Sequence, residues 1–175
     1  TNAQKLPDIS YDEMLELASY GAKMHPRSIE LGEMYQIPIL VASAFNETPG
    51  TLIHGDVDMM ELRNKVRGVA CDLNVARITV LAVPDQPGIA ASLFDPLAQA
   101  GINVDVIVQN ASQEHLTDLS FTVAQTDLEK ALIVVEEVAK SIGSPGVVSN
   151  AHLGKVSIVG TGMQNAPGYA SQMFQ

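Results

Sequence analysis

Arg77-Ile-Thr-Val-Leu-Ala-Val-Pro-Asp-Gln-Pro-Gly-Ile-Ala-Ala-Ser-Leu-Phe94 returns later in the chain as Lys155-Val-Ser-Ile-Val-Gly-Thr-Gly-Met-Gln-Asn-Ala-Pro-Gly-Tyr-Ala-Ser-Gln-Met-Phe174, and a two-residue insertion aligns the copies. Each opens with a basic residue and a β-branched run, crosses a short polar loop to Pro-Gly, and enters an Ala-rich amphipathic segment ending in Phe. The pattern reads as strand, loop, helix, twice. The rival reading is a chance echo of two strand-helix joints. The first copy continues to Ala151, whereas the second reaches only Gln175. A half-built unit leaves an apolar face uncovered, so its missing strands are expected beyond this sequence or from another chain.

Outward from the first copy the order is regular. Ala76 to Val83 is a strand and Gly88 to Ala100 a helix, with Ala90, Leu93, Phe94, Leu97 and Ala98 on its apolar face and Ser92, Asp95 and Gln99 outside. Pro96 costs about 3 kcal/mol inside a helix and predicts a kink or a shortened helix. Gly101 sits as a C′ glycine would. Strands follow at Asn103 to Asn110 and Thr117 to Ala124, joined by a hairpin loop at Ser112 to Leu116. A helix over Asp127 to Ser141, with Thr126 a possible N-cap, and a strand over Gly146 to Ala151 complete the unit. The order β-α-β-β-α-β places two helices on one face of a four-stranded antiparallel sheet, an α+β domain of ferredoxin-like topology. That scaffold serves many functions, so it does not decide this one.

Upstream, Ser10-Tyr-Asp-Glu13 reads as a capping box opening a helix to about Lys23, with Met14, Leu15, Leu17 and Ala18 as its apolar stripe. Pro26 can serve as the first residue of a second helix running to about Tyr35. Pro38 to Ala44 reads as a strand, Phe45 to Gly50 as a turn cluster and Thr51 to Ile53 as another strand. His54 to Asn64 is acidic and without clear period, as a linker would be. Val66 to Cys71 is a further strand, in which Cys71 is expected in the core.

Composition narrows the function. Twenty Asp and Glu against ten Lys and Arg give a net charge of −10, the basic residues are scattered singly, and Trp is absent. Nucleic-acid binding is therefore disfavoured. No apolar stretch approaches the roughly 20 residues of a membrane span, and the opening residues lack the pattern of a signal peptide. One cysteine allows no disulfide framework within the chain, and the default expectation is a cytoplasmic protein. His25, His54, His115 and His152 are isolated from one another and from Cys71, so no metal site is expected. No phosphate loop, nucleophile elbow or Ser-His-Asp arrangement is present, and no catalytic residue is assigned.

Chemistry concentrates at Asp85-Gln-Pro-Gly88. A strand end meets a helix start there, and free backbone amides with the positive end of the helix dipole favour a carboxylate. Asn103, Asp105 and Gln109 place polar groups on a neighbouring strand. Asp85, Asp105 and Gln109 could accept from an ammonium, and Asn103 could both donate and accept. Carboxylate at one end and amine at the other suit a free amino acid. The loop also fits an ordinary β-α turn, and Asn103 and Asp105 also fit a solvent-facing edge.

These residues together resemble the C-terminal part of the aspartokinase family. Ser10 to Lys23, His25-Pro-Arg27 and Pro49-Gly-Thr-Leu-Ile53 are similar to the end of an amino-acid kinase domain. Asp85-Gln-Pro-Gly88, Asn103-Val-Asp105, Val108-Gln-Asn110 and Lys155-Val-Ser-Ile-Val-Gly160 are similar to the paired ACT domains that follow it. The resemblance implies residues 1–53 as kinase-domain segment, 54–65 as linker, 66–75 as the first strand of the second ACT domain, 76–151 as the first ACT domain, and 152–175 as the truncated start of the second.

It further implies an enzyme that uses ATP and magnesium to phosphorylate the side chain of aspartate. Lysine, threonine or both would bind between ACT domains of two subunits in a homo-oligomer and feed back on lysine, threonine and methionine biosynthesis. By resemblance the effector positions are Asp85, Gln86, Pro87, Gly88, Ile89, Ala90, Asn103, Val104, Asp105 and Gln109, with Ser112, Thr117 and Ser120 in or around the interface; Lys23 matches a lysine that contacts ATP. Relatives commonly carry one more residue between the positions of Lys23 and His25. The family's phosphate loop and aspartate-binding residues would lie upstream of Thr1, so this chain alone is expected to be inactive. The rivals are an ACT oligomerisation module without ligand and a fragment keeping only nucleotide contacts.

Overall fold

Strand periodicity and helix caps set the elements of the computed structural model, which describes residues 5–55, 66–110, 115–160 and 167–175. In chain order they are β1 (Asp8–Ser10), α1 (Tyr11–Ser19), α2 (Pro26–Met34), β2 (Ile39–Val41), β3 (Thr51–His54), β4 (Gly68–Asp72), β5 (Ala76–Pro84), α3 (Ile89–Gln99), β6 (Ile107–Gln109), β7 (Leu116–Val123), α4 (Leu128–Ser141), β8 (Val147–Asn150), β9 (Lys155–Val159) and α5 (Tyr169–Met173). They divide into two units, residues 73–155 and residues 1–72 with 156–175.

In the unit of residues 73–155 the sheet order is β6-β7-β5-β8, and every pairing is antiparallel. Side chains alternate along β7: Thr117, Leu119, Phe121 and Val123 are buried and the residues between them are not. The buried face meets Leu93 and Leu97 of α3 and Ala131, Val135 and Ala139 of α4 in one core. Phe94 and Phe121 meet edge to face, with centroids 5.3 Å apart. Such a pair is favoured because the positive ring edge faces the negative ring face.

Several expectations are corrected here. Helix α3 runs through Pro96 to Gln99 and is not shortened. The missing proline N–H leaves the carbonyl of Ser92 without its donor, but Ser92 is exposed to water. Leu93 and Leu97, both fully buried, contribute about 1.5–3 kcal/mol each, which offsets the proline. Ala90 and Ala98 are exposed rather than packed. Thr126 is not an N-cap: residues Gln125–Asp127 form a 3₁₀ turn, and Asp127 precedes α4 without a side-chain cap.

The strand expected over 103–110 is regular only at Ile107–Gln109. Asp105 N–H donates to the Thr122 carbonyl while Thr122 N–H donates to the Val106 carbonyl, each at 3.0 Å. Two residues thus share one partner, a β-bulge, and Val106 N–H turns to the Thr122 hydroxyl instead. Gly101, at φ 71°, closes α3 as expected: its N–H reaches Ala98 and that of Ile102 reaches Leu97, each at 2.9 Å.

In the other unit, β1-β3-β2 form a three-stranded sheet and β4-β9 a two-stranded one. Ser10 and Glu13 form the expected capping box of α1, which ends at Ser19, short of Lys23. His25 caps α2, with Pro26 in its first turn. The strand expected over 38–44 is confined to Ile39–Val41. His54 belongs to β3 rather than to the linker, and residues 56–65 of that linker lie outside the described residues. Cys71 is exposed, because alternation along β4 buries Ala70 and turns its neighbours outward.

Arg67 is tied to Glu13 (Nε to Oε2, 3.2 Å) and to Asp8 (Nη2 to Oδ1, 3.1 Å). Its N–H donates to the Val159 carbonyl at 2.7 Å, so the start of β4 faces the end of β9. The second copy of the repeat is visible at its joint: Gly88 and Gly168 precede α3 and α5 at φ 92° and 105°. Only glycine takes that conformation freely.

Candidate functional site

The end of β5, the start of α3 and the β6–β7 hairpin enclose a cavity of about 300 Å³ lined by Val83 to Ala90, Gln109, Thr117 and Leu119. Its size sits at the small end of ligand cavities, about 300–1,000 Å³. Of the residues expected at a site, Asp85, Gln86, Pro87, Gly88, Ile89, Ala90, Gln109 and Thr117 come together here. Val83, Pro84 and Leu119 also line it and were not anticipated; Leu119 follows from Thr117 by the two-residue alternation of a strand.

Helix α3 has no side-chain cap. Asp85 N–H is taken by the His115 carbonyl at 2.9 Å and Gln86 N–H by Pro84 at 3.0 Å. Ile89 N–H donates to Gln86 at 3.3 Å, whereas the Gly88 and Ala90 amides meet no acceptor among the described residues. Two lining amides are therefore open at the positive end of a helix, where an anion is stabilised. The Asp85 carboxylate and the Gln109 amide, both exposed, lie on the same cavity. Thr117 is 4% exposed, and its hydroxyl donates to the Asn110 carbonyl at 2.8 Å. That bond fixes the hairpin and leaves the hydroxyl oxygen as an acceptor.

The remaining expected positions are not on this cavity. Asn103 and Asp105 lie on the extended segment before β6, outside the lining, and the Asp105 carboxylate pairs with Lys155. Val104 packs against the core. Ser120 faces away, because it lies three residues from Thr117 and alternation puts it on the opposite side of the sheet; its hydroxyl meets that of Thr79 at 2.8 Å. Ser112 lies outside the described residues.

In the other unit Lys23, exposed, borders a second cavity of about 510 Å³ whose walls include Leu6, Ile9, Met14, Leu17 and Ile53. Among the described residues no group of three or more His, Cys, Asp or Glu could hold a metal ion, and no helix is long and apolar enough to cross a membrane.

The ACT domain family matches residues 80–138, from the middle of β5 to most of α4. The regulatory subunit of aspartate kinase from Thermus thermophilus is 40% identical, with 64% of this chain and 74% of that chain covered and a TM-score of 0.60. The chain belongs to the aspartate kinase family. The aspartate kinase of Pseudomonas putida is 40% identical over 174 residues, which are 99% of this chain and 42% of that protein. The chain thus spans less than half the length of the curated aspartate kinases it matches. The Clostridium acetobutylicum aspartate kinase shares the fold at a TM-score of 0.83 and 24% identity, over 99% of this chain and 40% of that one. The βαββαβ unit of residues 73–155 is accordingly the ACT-domain fold of an aspartate kinase.

Proposed function

We propose that this chain is the regulatory portion of an aspartate kinase, and that the cavity between β5, α3 and the β6–β7 hairpin binds a free amino acid, threonine or lysine or both. One observation carries the reading: open amides at the start of α3 share a small cavity with the Asp85 carboxylate and the Gln109 amide. An α-carboxylate is stabilised at the amides and an α-ammonium at Asp85 and Gln109. ACT-family membership and the regulatory subunit among the relatives support it.

In this reading residues 76–151 are a first ACT domain inserted into a second, of which residues 66–75 supply the first strand and 152–175 the start of the repeat. The pairing of β4 with β9 supports that division. Residues 1–54, closed by β3, are the end of the kinase domain, and the linker follows His54. The exposed edge strand β6 pairs with an ACT domain of another subunit in a homo-oligomer. Effector binding then favours one arrangement of the assembly over another, and inhibition equals the difference in affinity between the two.

The longer, cytoplasmic protein converts ATP and aspartate to 4-phospho-aspartate, and feedback restrains lysine, threonine and methionine biosynthesis. In that protein Lys23 would offset part of the nucleotide's negative charge, and this chain alone has no kinase activity. Calorimetric titration of the chain with threonine and with lysine tests the site. Binding to the chain, abolished in Asp85→Ala with an unchanged circular dichroism spectrum, is the expected result. A flat titration with both would instead favour the second reading, a ligand-free oligomerisation module, for which the exposed Ile107 and Val108 of β6 speak.

A further inference from the structure

The ladder between β5 and β7 runs in register from Ala76↔Val123 to Val80↔Leu119 and resumes at Val83↔Thr117. Leu81 and Ala82 therefore oppose the single residue Asp118, a second bulge in this sheet. Ala82 sits at φ 45°, a left-handed conformation that a residue with a Cβ resists. Its N–H donates to Asp118 Oδ1 at 2.9 Å. Leu81 is held by Gly146, whose carbonyl takes its N–H at 3.0 Å, and by Ser144, whose hydroxyl donates to the Leu81 carbonyl at 2.6 Å.

The extra residue changes the phase of β5. Val80 and Val83, three positions apart, are both buried on the helix side, which an unbroken strand forbids because alternation would turn Val83 to the opposite face. The bulge thus turns Val83 to the helix side, where it lines the cavity wall beside Pro84. The Asp85 loop follows directly from them. Asp118 itself lies outside the lining and points, by alternation from Thr117 and Leu119, to the other side of the sheet.

We propose that Asp118 is a positioning residue for the amino-acid site: it acts as an acceptor for Ala82 N–H, stabilises the left-handed residue, and so sets the phase of the strand that delivers Asp85. This rests on the reading of the cavity given above. What the bond needs is an oxygen acceptor; the negative charge is dispensable. Asn supplies the same acceptor, Ala supplies none, and Ala82→Gly removes the conformational resistance that the bond overcomes.

The test compares Asp118→Ala, Asp118→Asn and Asp118→Ala/Ala82→Gly by calorimetry with threonine and lysine and by amide hydrogen exchange over residues 82–89. Asp118→Ala is expected to weaken binding at least tenfold and speed exchange in that segment, with α4 still protected. Asp118→Asn should stay within about threefold of the parent in both, and the double variant should recover much of the loss. Unchanged binding and exchange in Asp118→Ala, or equal impairment in Asp118→Asn, would overturn the proposal. If the parent chain binds neither amino acid, the site reading fails, and the exchange arm still decides the role of Asp118.

Discussion

Arg67 and Glu13 lie far apart in sequence and meet in a pair whose side chains are 9% and 1% exposed. Glu13 Oε1 has no partner among the described residues, so Arg67 and the capping box hold the carboxylate through its other oxygen. Arg67→Met would strand a buried charge, and a loss of about 3–5 kcal/mol is expected in urea unfolding. Ser10→Ala, which removes only one arm of the cap, should cost about 1 kcal/mol. A drop of similar size in both would show that the ion pair adds nothing to the cap. The capping box was legible because its partners are three residues apart; the Arg67 contact was not, because no local pattern links positions 13 and 67. The same contrast runs through the candidate site. Asp85 to Ala90 could be read as one strand-to-helix joint, whereas Asn103, Asp105 and Ser120 were grouped with it by sequence and resemblance. Asn103 and Asp105 lie six and four residues before Gln109, toward the Thr122 end of β7, and Ser120 is turned away by the alternation of β7.

Element boundaries followed the same logic. Strand β7, which alternates strictly, and β5, which alternates up to its bulge, emerged close to their expected ends, since one face is buried and the phase is fixed by the core. Strand β6 is reduced to three residues, all exposed, because the bulge at Asp105 and Val106 interrupts the ladder before it. Phe121 anchors the buried face at 1% exposure, and Phe121→Ala is expected to cost about 3–5 kcal/mol in the same unfolding assay. The edge makes a different prediction. Val108→Lys should lower the sedimentation coefficient of the chain at a fixed concentration, since a charge on an edge strand opposes pairing with another chain. If sedimentation does not respond, β6 is not the edge through which copies associate. Pro96 shows where local propensity yields: two buried leucines on the same helix outweigh one lost hydrogen bond.

At the scale of the whole chain, the repeat was the most informative signal, and it was legible because Pro-Gly and Phe recur at matched places. Its consequence for connectivity, β4 pairing with β9 across the intervening unit, appeared only as an implication of resemblance, since neither strand names its partner. The two-stranded β4-β9 sheet should be less protected than the four-stranded sheet of residues 73–155. A pair of strands is marginal alone, whereas the four-stranded sheet is backed by two helices. Hydrogen exchange is therefore expected to be faster at Val69 and Ser157 than at Ile78 and Leu119; equal protection at all four would argue that the small sheet is as firmly held as the large one.

The Arg67–Val159 bond sets β4 and β9 head to tail, which brings Asp72 and Lys155 to the same end of the pair. An 83-residue excursion that departs and returns at one doorway can be moved as a cassette. A few glycines spliced between Asp72 and Val156 would bridge the gap it leaves, and the excised piece, its two termini already neighbours, could be circularised or grafted into another host protein as a portable βαββαβ domain.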